Sequence, residues 1–196
     1  LTPKPDRPTA PSTLARVQPA RVRPATFGLT LLQRPRGSGR FTAAEINRAA
    51  DVSSRIVNAT AATLTVTEAA HDGKVILLDR AAGIAVTLPA ASAGLRFKFI
   101  VKTTFTGASS IKSVAGADVM IGHALMGNDT DNTVVDFQAL AASTIDTIDL
   151  LGTANSTGGI AGEEIEIIGL ATNLWFVSIR GDAAGTEATP FADTVA

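Results

Sequence analysis

Gly94-Leu95-Arg96-Phe97-Lys98-Phe99-Ile100-Val101-Lys102 puts Leu95, Phe97, Phe99 and Val101 on one side and Arg96, Lys98 and Lys102 on the other, with Ile100 the one exception. A side-chain period of two belongs to a strand with one buried and one wet face. Immediately upstream, Gly83-Ile84-Ala85-Val86-Thr87-Leu88-Pro89 ends a strand on a proline, which needs no ladder hydrogen bond. The small residues 90–93 then turn tightly, and Gly94 lets the backbone re-enter as the next strand. The same period recurs farther along, with Ile165 and Ile167 set against Glu164 and Glu166. Short β-branched runs separated by Gly, Asn, Asp and Ser predict strands at 63–68, 74–79, 84–88, 95–102, 110–114, 119–122, 133–139, 143–151, 163–169 and 174–180. Many short strands and no long amphipathic helix predict an all-β domain over 53–182, of the jelly-roll-like antiparallel β-sandwich class. Pro89, Gly94, Phe97, Phe99 and Trp175 are the positions expected to specify that fold. Trp175 stands in a chain with one tryptophan and no tyrosine. It is expected to plug the core or a subunit seam, with sugar stacking as the alternative.

Residues 1–40 read differently. Pro3, Pro5, Pro8, Pro11, Pro19, Pro24 and Pro35 crowd this stretch, whereas the remaining 156 residues hold only Pro89 and Pro190. Proline fixes φ, removes a donor and biases its predecessor toward extended backbone, so the stretch is expected to be an extended arm. Charge divides the same way. Up to Arg48 there are nine Lys/Arg against Asp6 and Glu45, leaving eight bases and sixteen acids for the rest, although the whole chain nets only -1. Between the prolines lie apolar groups, Leu14 with Val17 and Phe27-Gly28-Leu29-Thr30-Leu31-Leu32, which a lone extended chain cannot bury. A disordered tail, a nucleic-acid-binding arm and a strap along an acidic protein surface are the three readings. The arginines are spaced rather than clustered and Phe27 is the sole aromatic platform, so nucleic acid is disfavoured. The strap is preferred, with Arg16, Val17, Arg21, Arg23, Phe27, Leu29, Leu31, Leu32, Arg34 and Arg36 as partner-binding anchors and strand addition by 27–32 as one mode. At about 3.3 Å per residue the arm spans roughly 130 Å.

A hinge at 41–52 joins arm to domain. Thr42-Ala43-Ala44-Glu45 is a capping box, and Phe41 and Ile46 are spaced as a hydrophobic staple, so a short helix is predicted from Ala43. Residues 183–196 are set apart as a C-terminal tail.

The absence of cysteine excludes disulfides, thiolate zinc sites and a cysteine nucleophile. His71 and His123 are the only histidines. Ala70-His71-Asp72-Gly73 reads as a hairpin turn with Asp-Gly chemistry. Asp129, Asp131 and Asn132, within an expected loop at 124–132, lack the glycine and closing glutamate of an EF-hand. Asp129 and Asp131 as a glycosidase pair fit poorly with so few aromatics to hold a sugar. Gly158-Gly159-Ile160-Ala161-Gly162 is followed by a strand pattern and not by the Lys-Ser/Thr and helix of a phosphate loop. No catalytic residue, metal or cofactor is therefore expected. Apolar runs of about seven residues fall far short of a membrane span of roughly twenty, so no membrane partner is expected.

The stretch from Gly83 to Val101, with its Val-Thr-Leu-Pro, four-residue turn and Gly-x-x-Phe-x-Phe, resembles a module of tailed-phage surface proteins. Asn173-Leu174-Trp175-Phe176-Val177-Ser178-Ile179 resembles their closing strand, and the glycine-rich 152–169 region fits between. The resemblance covers roughly 63–180. It implies the β-sandwich domain of capsid decoration, or cement, proteins, shared with some head and tail fibres. It further implies a non-enzymatic structural protein on the outer capsid surface of a virion, with the major capsid protein as partner and a homotrimeric state. A fibre or receptor-binding module that reads glycans is the alternative.

Overall fold

The computed structural model describes residues 42, 52–140, 144–151 and 155–195. The ten anchors expected in the arm, Arg16, Val17, Arg21, Arg23, Phe27, Leu29, Leu31, Leu32, Arg34 and Arg36, lie outside the described residues, as does the helix expected from Ala43.

After a 3-10 turn at Val52–Arg55, the chain forms β1 (Ile56–Ala59), β2 (Thr63–Thr65), a one-turn helix α1 (Glu68–His71), β3 (Val75–Leu78), β4 (Ala85–Thr87), β5 (Arg96–Val101) and β6 (Ser109–Lys112). There follow β7 (Val119–Asn128), β8 (Val134–Ala139), β9 (Thr147–Leu150), β10 (Glu164–Ala171), β11 (Leu174–Ala183) and β12 (Phe191–Ala192). Two sheets result, ordered β1-β3-β5-β10-β11-β7-β8 and β12-β9-β6-β4-β2. All-β character in two layers is thus observed.

The expected antiparallel jelly roll is corrected. From β1 to β6 the chain alternates between the sheets, so β1, β3 and β5 pair parallel in one and β2, β4 and β6 pair parallel in the other. This is a coil of three passes, in which a strand of the opposite sheet serves as the crossover that parallel neighbours require. Antiparallel pairing takes over afterwards: β10 lies against β5, β11 against β10, β8 against β7, β9 against β6, and β12 against β9. β11 and β7 are again parallel. Alternation of apolar residues reports which face is buried and is silent on strand direction.

The Leu-Pro module sits at a corner of the coil. β4 belongs to the five-stranded sheet and β5 to the seven-stranded one, so the segment from Pro89 to Gly94 carries the chain between layers. Gly94 has φ of +95°, a conformation that glycine adopts without strain, and its N–H donates to the Gly169 carbonyl at 2.9 Å. A second corner corrects the hairpin expected at 70–73. β2 and β3 lie in different sheets, and the helix α1 and Gly73 turn the chain between them while His71 is buried. Asp79 ties successive passes together, accepting from Lys102 Nζ at 2.7 Å, Thr103 Oγ1 at 2.7 Å and Asn58 Nδ2 at 3.1 Å. The Lys102 bond first, then those from Thr103 and Asn58, hold its carboxyl down at about 2.

Between the layers, Phe97, Phe99, Ile165, Ile167, Trp175, Val177 and Ile179 meet Val86, Ile111 and Ile148 in one buried cluster. Phe97 and Trp175 pack with ring centroids 6.0 Å apart.

The expected loop at 124–132 is also corrected, because β7 runs through to Asn128. Gly122 and Gly127 resemble breakers in the sequence, but Gly122 is there for close approach: a Cβ on it would lie 1.8 Å from the Val177 carbonyl oxygen of β11, and its φ is +144°. The tail at 183–196 joins the domain, with β12 pairing β9. Asp146, wholly buried, accepts from Thr147 Oγ1 at 2.8 Å, the Thr194 amide at 2.9 Å and the Val195 amide at 3.0 Å.

Two outcomes follow from this packing. Phe97→Ala is expected to lower the unfolding free energy by about 3–5 kcal/mol, read from urea denaturation. Asp146→Asn replaces an acceptor oxygen by a donor facing backbone amides and is expected to cost about 1–3 kcal/mol. Hydrogen exchange should then quicken at 190–195 before it does in β5.

Candidate functional site

The fold-specifying residues are placed by the structure in the interior or at its corners. Phe97, Phe99 and Trp175 have no exposed surface, so Trp175 fills the core and cannot stack on a sugar. The surface with the richest side-chain chemistry is instead the outer face of the seven-stranded sheet, which the inward parity of β5, β10 and β11 leaves to their other residues.

Cα register draws rows across that face. One row runs Ile56, Val75, Lys98, Glu166, Ser178, His123, Gln138. The next runs Asn58, Leu77, Ile100, Glu164, Arg180, Leu125, Asp136. A third carries Arg96, Ile168, Phe176 and Ile121. Ion pairs join the rows diagonally, Arg96 to Glu166 and Lys98 to Glu164, the latter at 3.0 Å. Both pairs are solvent-accessible and contribute roughly 0–1 kcal/mol each, so their consequence is for recognition more than for stability. They border a shallow hollow of about 400 Å³ that also touches Gly73, Lys74 and Val75. Beside them, Ile121, Ile168 and Phe176 are half-buried apolar side chains on what would otherwise be the wet side. This side of the sheet therefore carries an apolar end next to a field of paired charges.

Within the first row Ser178 Oγ lies 3.4 Å from His123 Nε2, and the imidazole meets Phe176 edge-on at 6.2 Å. The residue pattern ends its strand at Gly122, one residue short of His123, and does not join His123 to Ser178. Parity along 119, 121, 123 and 125 against 174, 176, 178 and 180 is the signal that links them. Acyl transfer needs amide donors aimed at a developing oxyanion, and here β7 and β11 are interior strands whose amides are engaged in the ladders. The pair is suited to hydrogen bonding with a docked partner.

The acidic turn behaves as a turn. Asp131 Oδ1 accepts from the Thr133 amide at 3.0 Å and its hydroxyl at 2.6 Å, which lowers the Asp131 carboxyl below its ordinary value. Asp129 Oδ1 accepts from Thr130 Oγ1 at 3.0 Å. Among the described residues no group of three or more His, Asp or Glu is placed to hold a metal.

One titratable group that the residue pattern did not single out is Glu163, buried at the mouth of the glycine-rich loop. Its Oε2 accepts the Gly159 amide, and its Oε1 is buried with no hydrogen-bond partner. A Cβ at Gly158 would lie 2.6 Å from Oε2 and one at Gly181 would lie 2.7 Å from Cγ, so both glycines make room for this side chain. Burial pushes the Glu163 carboxyl up to about 8, opposed by the Gly159 and Ile160 amides and assisted by the charge of Asp182. No family model, curated protein or solved structure matches this chain.

Glu163 couples folding to pH. Below its ordinary value of 4.5 the group is protonated in folded and unfolded chains alike and costs nothing. As pH rises from there toward about 8 the unfolded chain is ionised while the folded one holds its proton, so stability falls across that window and levels off above it. Glu163→Gln, which mimics the protonated acid, is expected to remove this part of the pH dependence in denaturation curves taken from pH 4 to pH 9.

Proposed function

We propose that this chain is a structural virion protein, a capsid decoration or cement protein that stabilises a phage head by lashing its N-terminal arm across neighbouring major capsid subunits on the outer surface of the particle. The observation that carries this reading is the division of the chain. Residues up to Arg48 hold nine bases against two acids and seven of the nine prolines, and the remainder is acidic. The described residues share one buried cluster of apolar side chains drawn from both sheets.

An arm of this kind has a large conformational entropy to lose on ordering, of about 1–2 kcal/mol per residue. Ordering becomes favourable only along a partner that offers many anchor sites in fixed positions, which a preassembled shell does. Arginines spaced between prolines meet carboxylates at intervals, while Phe27, Leu29, Leu31 and Leu32 supply apolar anchors. The outer face of the seven-stranded sheet, with Arg96, Lys98, Glu164 and Glu166 beside Phe176 and Ile121, supports a second contact.

Deleting residues 1–40 tests the reading. The truncated protein is expected to keep its β circular dichroism and its denaturation midpoint while losing co-sedimentation with capsids, and the capsids to lose their added resistance to heat. Undiminished capsid binding by the truncated protein would overturn the lash.

A further inference from the structure

Glu163 immediately precedes β10 and is buried, as Ile165 and Ile167 are. An apolar residue there would continue the core, whereas a carboxylate must find partners or keep its proton. It is half satisfied: Oε2 accepts the Gly159 amide, and Oε1 has no hydrogen-bond partner. A position that breaks the burial rule in this way is where function or strain is expected.

Residues 155–162, which supply that amide, also fasten two other segments. The Phe105 amide donates to the Gly159 carbonyl at 2.8 Å, and the Ala161 amide to Thr104 Oγ1 at 3.0 Å. The Ala184 amide donates to the Asn155 carbonyl at 3.2 Å and the Ala188 amide to the Ser156 carbonyl at 2.9 Å. None of residues 155–162 titrates, nor do Thr104, Phe105 and Gly181 beside them. Lys102 is held by Asp79, Glu187 is turned to Thr133, and Glu164 and Arg180 lie on the outer face. Among the described residues Asp182 is the charged group whose field reaches Glu163, and it opposes a second negative charge.

We propose that residues 155–162 form a proton-dependent latch, closed while Glu163 carries a proton and opening as the proton leaves, which releases Thr104, Phe105 and residues 184–188 from the loop. An ionised carboxylate in the closed loop has one unpartnered oxygen and the Asp182 charge beside it, and opening lets water solvate it. The ladders of β10 with β5 and β11 begin at Glu164, beyond the latch, so the loop can open while the sheets stay paired. The latch does not rest on the capsid reading.

Amide hydrogen exchange of the full chain from pH 4 to pH 9, corrected for the intrinsic rate, reads the latch. The amides of Phe105, Gly159, Ala184 and Ala188 are expected to exchange through an opening more frequent than the one that exposes β5. Its equilibrium constant is expected to stay level below 4.5, to rise by about tenfold per pH unit while the open loop is ionised and the closed one keeps its proton, and to level off at about 8. Glu163→Gln, which cannot ionise, is expected to abolish the rise. Asp182→Asn, at an exposed position, removes the opposing charge and is expected to end the rise at a lower pH. Circular dichroism verifies the fold of each variant, and the native chain and Asp182→Asn decide the matter without the glutamine variant. An opening constant that does not change with pH, a rise that persists in folded Glu163→Gln, a plateau that Asp182→Asn leaves in place, or exchange of these amides only together with those of β5 each overturns the proposal.

Discussion

Strand β5 bears two different ladders, and the rest of the domain depends on its doing so. On one edge it continues the parallel coil through β3, and on the other it receives β10 antiparallel. Its inward side chains Phe97, Phe99 and Val101 must at the same time fill the space between layers, where Phe97 meets Trp175. Slipping β5 by one residue would bring Arg96 and Lys98 into that space, so the register of the parallel coil and that of the antiparallel pair with β10 are fixed together by the cost of burying charge. Asp79 and Asp146 then fasten the two ends, one tying successive passes of the coil and the other holding the final residues of the chain.

That register has a consequence on the opposite side of the sheet. Residues excluded from the core are aligned in straight rows, which brings Lys98, Glu166, Ser178 and His123 side by side from four strands distant in sequence. The face is broad and open, lined by charges that neutralise one another and by apolar groups only half covered. Such a surface is suited to a macromolecule, which can lie along the rows, more than to a small molecule, which a deeper cavity would enclose.

Much of the strand content was legible because a half-buried strand announces itself by its period, and β5, β10 and β11 do so. The parts that were not legible have specific physical causes. The length of β7 is hidden because Gly122 and Gly127 look like breakers, whereas Gly122 lets β11 come close. β12 has no legible period in two residues, and Asp146 far upstream holds the residues that follow it. His71 and Asp72 resembled a hairpin because Asp-Gly chemistry suits several turns, and only the layer of the flanking strands tells a hairpin from a corner. The pairing of His123 with Ser178 and the burial of Glu163 had no local signal, since each depends on which distant strand lies alongside.

By itself the sequence determined that this chain divides into a basic proline-rich stretch and an acidic β-patterned remainder, because composition, charge and side-chain period are properties of neighbouring residues. It also determined which faces of β5, β10 and β11 turn inward. Only the tertiary structure decided that the first six strands coil between two sheets instead of folding back as hairpins, and therefore which side chains share a row on the outer face. The reason is that alternation records burial and carries no information about direction: a parallel and an antiparallel neighbour bury the same residues, and the choice between them is made by the corners and by the ladders available across the sheet.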